Sequence, residues 1–333
     1  MGKSIPRSLA ALAALAGMTV APQPLLAVEG GTSAYLLGSR DSFAGIVPGP
    51  GTYVGVDFVT FSGDITGVSL GGLPIRAEVE VDVNLVKFSA TQVFEGSFWG
   101  GTPAININIP ILHAGISFTP QPPFPPALTG RRLKDETSGF GDITITPMLG
   151  WHDDKLHYSA ALSVFVPTGE YSTATVDIVP PVGIDALSNG KNVWSFQPVL
   201  SATHFDPESG LEFSAATSLL FSTINKATDY QTAPAFTLEA SMLQHLPSGF
   251  AFGVTGYAYQ QLADDSGSGA AGTRAALGAT SLRAHALAVG PILTYSGKVG
   301  QQPVSFKFKY YKEFEVRRRF KSDVLWFNAS TSF

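Results

Sequence analysis

The 333-residue sequence contains no cysteine, which removes disulfide frameworks, thiol catalysis and thiolate metal sites from consideration. Charge is scarce as well. Asp, Glu, Lys and Arg make up 14% of the chain, well below the roughly 25% usual for soluble domains, while the hydrophobic share of 44% is ordinary. Basic residues are in deficit, 21 Lys and Arg against 26 Asp and Glu, and this argues against nucleic acid as a partner. Beyond the first residues no uninterrupted apolar run is long enough to cross a bilayer as a helix, so a spanning protein with this sequence has to be a barrel. There is no G-x-S-x-G, no phosphate-cradling Gly loop before a helix and no helical stretch to host H-E-x-x-H. The six His are scattered, and His152 and His157, five apart across a turn, give only a weak metal signal. The reading is of a non-enzyme with no catalytic residues, cofactor or metal.

What is present begins with a signal peptide. Lys3 and Arg7 precede an apolar run over residues 9–20, followed by Pro and small residues. Cleavage is expected after Ala27, with Ala21 the rival site, and loss of Lys3 and Arg7 takes the net charge from −5 to −7. Residues 28–52 are rich in Gly and Pro and sustain neither structural period. They read as an irregular segment that either folds into a barrel mouth as a plug, with Glu29, Tyr35, Arg40 and Asp41 as candidate contacts, or forms a tail leading to the first strand.

From residue 53 to 333 the pattern is strand and turn. In residues 76–85 the even positions Arg76, Glu78, Glu80, Asp82 and Asn84 alternate with Ala77, Val79, Val81, Val83 and Leu85. Successive side chains on a strand point to opposite faces, so one face is ionic and the other aliphatic. About twelve such strands can be counted, and from the fourth onward short and long connections mostly alternate. Outer-membrane barrels do this because their turns are short at one end and their loops long at the other. Residues 91–103 are too long for the short turn required there. In residues 104–118 the apolar face changes near His113, which predicts a bulge. Phe333 ends a segment with apolar residues at every second place, the form of an assembly signal for the barrel-assembly machinery, and pairing this strand with the first removes both sheet edges. The fold class is all-β, a transmembrane antiparallel β-barrel.

Several motifs carry a family resemblance: E-G-G-x-S-x-Y from Glu29, G-S-R-D from Gly38, A-G-I-V-P-x-P-G-x-Y from Ala44, G-F-G-D-I from Gly139, V-P-T-G-E-Y from Val166, Y-A-Y-Q-Q-L from Tyr257 and K-Y-Y-K-E-F from Lys309. With these the chain resembles the exported proteins of the meta-pathway phenol-degradation family, regarded as outer-membrane transporters. The resemblance implies uptake of aromatic or other hydrophobic compounds and brings no catalytic set with it.

On this reading Arg76, Glu78, Glu80 and Asp82 line a wet lumen or its constriction, with the valines against lipid, and Lys307, Lys309 and Glu313 face the same lumen. Tyr257 and Tyr259 serve either an interfacial girdle or stacking on an aromatic solute. Basic clusters at Arg131, Arg132 and Lys134 and at Arg317, Arg318, Arg319 and Lys321 read as outer loops that either contact lipopolysaccharide phosphates or are plain solvated loops. The expected protein is a passive channel for small hydrophobic or aromatic solutes in the outer membrane of a Gram-negative bacterium. A non-conducting structural or adhesive barrel and a barrel hydrolase are the alternatives.

Overall fold

The computed structural model describes residues 29–122, 124 and 126–333, so the signal peptide expected over residues 1–27 lies outside the described residues. The strands are β1 (Gly51–Leu70), β2 (Leu73–Val93), β3 (Thr102–Phe118), β4 (Leu133–Phe140), β5 (Ile143–Asp153), β6 (Leu156–Val166), β7 (Thr175–Asp177), β8 (Gly183–Asp185), β9 (Ser195–Asp206), β10 (Leu211–Ser222), β11 (Ala235–His245), β12 (Phe250–Gln261), β13 (His285–Val299), β14 (Gln302–Arg317) and β15 (Lys321–Ser332), with one helix, α1 (Ser268–Leu277), before β13. β7 and β8 form a separate hairpin. The others close into an antiparallel ring, each strand paired with its sequence neighbour and β1 with β15. β4 and β5 are two halves of one interrupted strand, both paired with β3, so the ring among the described residues has the expected twelve strands.

Closure follows from the last strand. Tyr53 pairs with Ser332 and Asp64 with Lys321, and the Phe333 and Thr52 backbones exchange hydrogen bonds of 2.8 and 3.2 Å. The turns over residues 154–155, 207–210, 246–249 and 300–301 all lie at one end, and the connections over residues 167–194, 223–234 and 262–284 at the other. By the rule for outer-membrane barrels the first end is periplasmic. The segment over residues 91–103, too long for a periplasmic turn, is shortened from both ends: β2 runs to Val93 and β3 starts at Thr102, and the remainder folds on itself through a Phe98–Gly101 bridge.

The two sides of the barrel differ. On β9 to β12, each 11 or 12 residues long, outward positions such as Leu200, Phe213, Leu238 and Phe252 are apolar and exposed, while inward ones such as Gln197, Ser214, Glu239 and Thr255 are polar and buried. On β1 to β3, which are 17 to 21 residues long, this holds only for the periplasmic half. Phe58, Val86, Ile111 and Phe140 form one outward row in register across β1, β2, β3 and β4. Two residues further out the same face shows Thr60, Asn84, His113 and Ser138, and from there it is polar. The inner face changes in the opposite sense, from Asp57, Lys87 and Asn108 to Val59, Leu85 and Leu112. The long strands therefore leave the hydrocarbon and stand about 20 Å into water, given about 3.3 Å per residue and a tilt of about 40°.

This reverses the assignment of residues 76–85. Arg76, Glu78, Glu80 and Asp82 are exposed on the outside, whereas Val79, Val81 and Val83 are buried inside with Ile116, Phe118, Leu128 and Phe320. Above the membrane the outer face meets water and the closed interior is the dry side, so the alternation takes the polarity of a soluble sheet. The bulge expected at His113 is absent as well: the β2–β3 register runs without a shift from Val79 opposite Phe118 to Val93 opposite Ala104. What changes there is the surroundings of each face.

Aromatic rings on the outer surface descend over five adjacent strands, from Phe58 in the outermost apolar row of β1 through Phe327 to Phe306, Tyr295 and Phe250, with successive centroids 4.7 to 6.5 Å apart. The last three lie beside the periplasmic turn over residues 246–249, where an interfacial girdle is expected.

Candidate lumen site

Residues 29–50 lie within the ring of strands and are bound to inward side chains along its length. At the outer end Glu29 accepts hydrogen bonds from Asn225 (3.0 Å) and Tyr171 (3.4 Å). Further down, Tyr35 donates its hydroxyl to Glu239 at 2.5 Å, and the Gly38 amide donates to the other oxygen of the same carboxylate. Arg40 donates to Ser163 at 3.1 Å, and its guanidinium lies 5.7 Å from the centre of the Tyr35 ring. The buried Asp41 carboxylate is held by the ammonium groups of both Lys307 and Lys309. Glu212 receives the Phe43 amide (2.7 Å), the Ser42 hydroxyl (2.9 Å) and His245 Nε2 (2.6 Å). Nearer the periplasmic rim the Gly45 amide donates to Thr203 at 3.0 Å, and Val47 packs with Val93 and Ala104. Gly45 fits because a side chain there would meet the backbone at Ala202 and Thr203.

Beside this segment runs a second polar chain. Lys87 pairs with Asp57 at 3.2 Å, and Asp57 also accepts from Trp326 Nε1 (2.7 Å) and Asn328 (2.9 Å). The Lys309 ammonium sits 3.9 Å from the centre of the Trp326 ring, a cation–π contact favoured where water is excluded. Buried charges of both signs thus alternate across the lumen, each with a partner, as charges out of water require.

Towards the outer end the interior opens into a cavity of about 260 Å³. Its floor is Ala34, Tyr35, Leu36 and Leu37, and Phe61, Val81, Val83, Leu85, Leu112, Ala114 and Ile116 line the long-strand side. Polar groups enter at Glu29, Asp142, Tyr171, Lys191, Tyr257 and Arg319. Burial draws the Lys191 ammonium below the ordinary lysine range, against the attraction of Glu29 and Asp142. Where the cavity reaches Pro110, Gly141 and Asp142, the wall is the break between β4 and β5, and the loop over residues 167–194 covers it, with Asp142 accepting the Gly169 and Lys191 amides at 2.9 and 2.8 Å.

Of the residues singled out in the sequence, Lys307, Lys309 and Glu313 point inward, Tyr35, Arg40 and Asp41 meet the strand wall, and Glu29 meets the outer connections at Tyr171 and Asn225. Arg76, Glu78, Glu80 and Asp82 do not join them. Tyr257 and Tyr259 are outside the girdle: both are buried in the lumen, Tyr257 donating to Glu313 at 2.8 Å with its ring 5.1 Å from that of Tyr311. Arg319 leaves the expected loop cluster and turns inward to Glu313. Arg132 pairs with Glu80 on the outside. His152 and His157 meet Nδ1 to Nδ1 at 2.8 Å, with no third ligating group beside them among the described residues. Sequence reasoning missed Asp57, Lys87, Glu212 and Glu239. The last two carried a signal, a lone carboxylate at an inward position of a strand otherwise lined by small residues.

The ring of strands, the apolar belt and the aromatic girdle define a β-barrel of the outer-membrane class. The model of the family described as "Putative MetA-pathway of phenol degradation" matches residues 58–329, and the chain belongs to this family. Among solved structures it is similar to the COG4313 outer membrane channel from Pseudomonas putida F1, with 14% identity and a TM-score of 0.63 over 86% of this chain and 97% of that one. Weaker similarity extends to the translocator domain of the autotransporter NalP from Neisseria meningitidis (9% identity, TM-score 0.43, 86% and 90% covered) and to a Pseudomonas aeruginosa FadL homologue (8%, 0.40, 85% and 89%). No curated protein matches the chain.

Proposed function

We propose that the protein is a passive outer-membrane channel for small hydrophobic, chiefly aromatic, solutes, in which residues 29–50 plug the lumen. The observation that carries this reading is the apolar cavity of about 260 Å³ inside a lumen whose periplasmic half is filled by paired charges. Small apolar solutes gain from such a cavity, while sugars lose hydration and find few partners. The family description, which names phenol degradation, and the similarity to the P. putida outer membrane channel agree with it. Flow is down a gradient and needs no bond chemistry. The cavity reaches the β4–β5 break, so a movement of residues 167–194 would admit solute sideways from the lipid. Lipopolysaccharide and the assembly machinery, the latter reading the strand that ends in Phe333, are the proposed partners.

Flux through proteoliposomes tests the reading. Folded protein should pass phenolic solutes faster than sugars of similar mass, and equal or zero permeability to both would overturn the proposal. Deleting residues 29–50 should raise single-channel conductance severalfold, because the segment occupies inward carboxylates and the two inward lysines of β14, Lys307 and Lys309. An unchanged conductance would show that the segment does not limit the pore.

A further inference from the structure

We propose that the lumen cavity accepts a single-ring aromatic molecule, or an apolar one of similar size, that bears a carboxylate, and that Arg319 holds the carboxylate. The inference rests on the function proposed above and adds the charge and size of the solute. Size comes from volume: a cavity of about 150 Å³ holds benzene, so about 260 Å³ has room for one ring with a short substituent and none for a long acyl chain. The apolar body would lie against Leu36, Val81, Val83 and Leu112.

The charge comes from Arg319. Its side chain is only 12% exposed, and its one ionic contact among the described residues, Nη2 to Glu313, is long at 3.5 Å. Glu313 is satisfied without it, accepting the Tyr257 hydroxyl at 2.8 Å and the Ser322 amide at 2.7 Å. Nε and Nη1 have no hydrogen-bond partner among the described residues, and the Tyr259 ring lies 5.3 Å from the guanidinium centre. Burial works against the charge, but Glu313 with Tyr257 and Tyr259 outweighs it, so Arg319 stays positive. A buried guanidinium with open N–H groups is costly, and a carboxylate is the group that can take two of them in parallel. The other cavity charges are engaged: Lys191 with Thr32 at 2.9 Å, Asp142 with two backbone amides, and Glu29 with Asn225.

The test is equilibrium binding of benzoate and of its neutral counterpart benzyl alcohol to the full chain in lipid nanodiscs, with empty nanodiscs as the blank. Benzoate should bind about 10- to 100-fold more tightly, the range for a hydrogen bond to a charged group. Arg319→Gln should abolish that preference and leave benzyl alcohol binding in place. A Glu313→Gln/Arg319→Gln pair repeats the measurement without stranding Glu313. Filling the cavity with Leu36→Trp should remove both ligands. If benzyl alcohol binds the unaltered protein as well as benzoate does, or if the preference survives Arg319→Gln, the carboxylate inference is overturned while the apolar-solute reading stands. If neither compound binds, both fall.

Discussion

The short strands β9 to β12 and the long strands β1 to β3 are built from the same two-residue alternation, yet they place it in different surroundings. On the short side each strand ends where the hydrocarbon ends, so apolar residues such as Leu238 face out along the whole strand and Glu239 faces in. On the long side the strand crosses out of the lipid partway, and the polarity of both faces reverses in register on three neighbouring strands. The outer half of the long side is in effect a soluble sheet curved around a dry chamber. This is why the cavity lies against that side: the apolar inner face of Val81, Val83 and Leu112 exists only where the outside is wet.

Charges introduced on the two sides should separate these surroundings. The largest effect is expected from Val79→Arg, which puts a cation into the buried cluster of Ile75, Ile116, Phe118 and Leu128 with no partner, at about 3–5 kcal/mol. Leu238→Arg, on the lipid face of β11, should cost about 2–4 kcal/mol if it lies near the bilayer midplane. Urea titration of folding into lipid vesicles measures both. If Val79→Arg costs less than about 1 kcal/mol, the value for lipid-facing positions near the interface, Val79 does not point inward and the reversal of faces is wrong.

The barrel itself was legible: period-two alternation, the rhythm of turn lengths and the terminal aromatic residue are local signals, and the closed ring agrees with them. The reversal was also written in the sequence. In residues 76–90 the apolar phase moves from odd positions, ending at Leu85, to even ones at Val86, Phe88 and Ala90, and β3 repeats the change between Ile111 and Leu112. One strand with such a change reads as a bulge. Only the register, which aligns the changes of three strands, makes it a water boundary. The partners of Glu212, Glu239 and Asp57 were not legible, because their contacts join residues 169, 201 and 269 positions apart in the chain, and no period reports on such pairs.

The smallest expected effect is the most direct test of which face β2 shows the lumen. The alternation alone makes Glu80 a lumen carboxylate, and on that reading Glu80→Gln should alter ion selectivity. In the fold it pairs with Arg132 at 2.5 Å, and both side chains are more than half exposed on the outside. An exposed pair contributes about 0–1 kcal/mol and is screened by salt. Glu80→Gln should therefore shift the urea midpoint slightly at low salt, not at all at high salt, and leave the reversal potential of the channel unchanged. Lys307→Gln, which removes an inward cation beside Asp41, should move the reversal potential towards cation preference under the same conditions. A selectivity change from Glu80→Gln as large as that from Lys307→Gln would return the β2 carboxylates to the lumen and undo the distinction between the two sides.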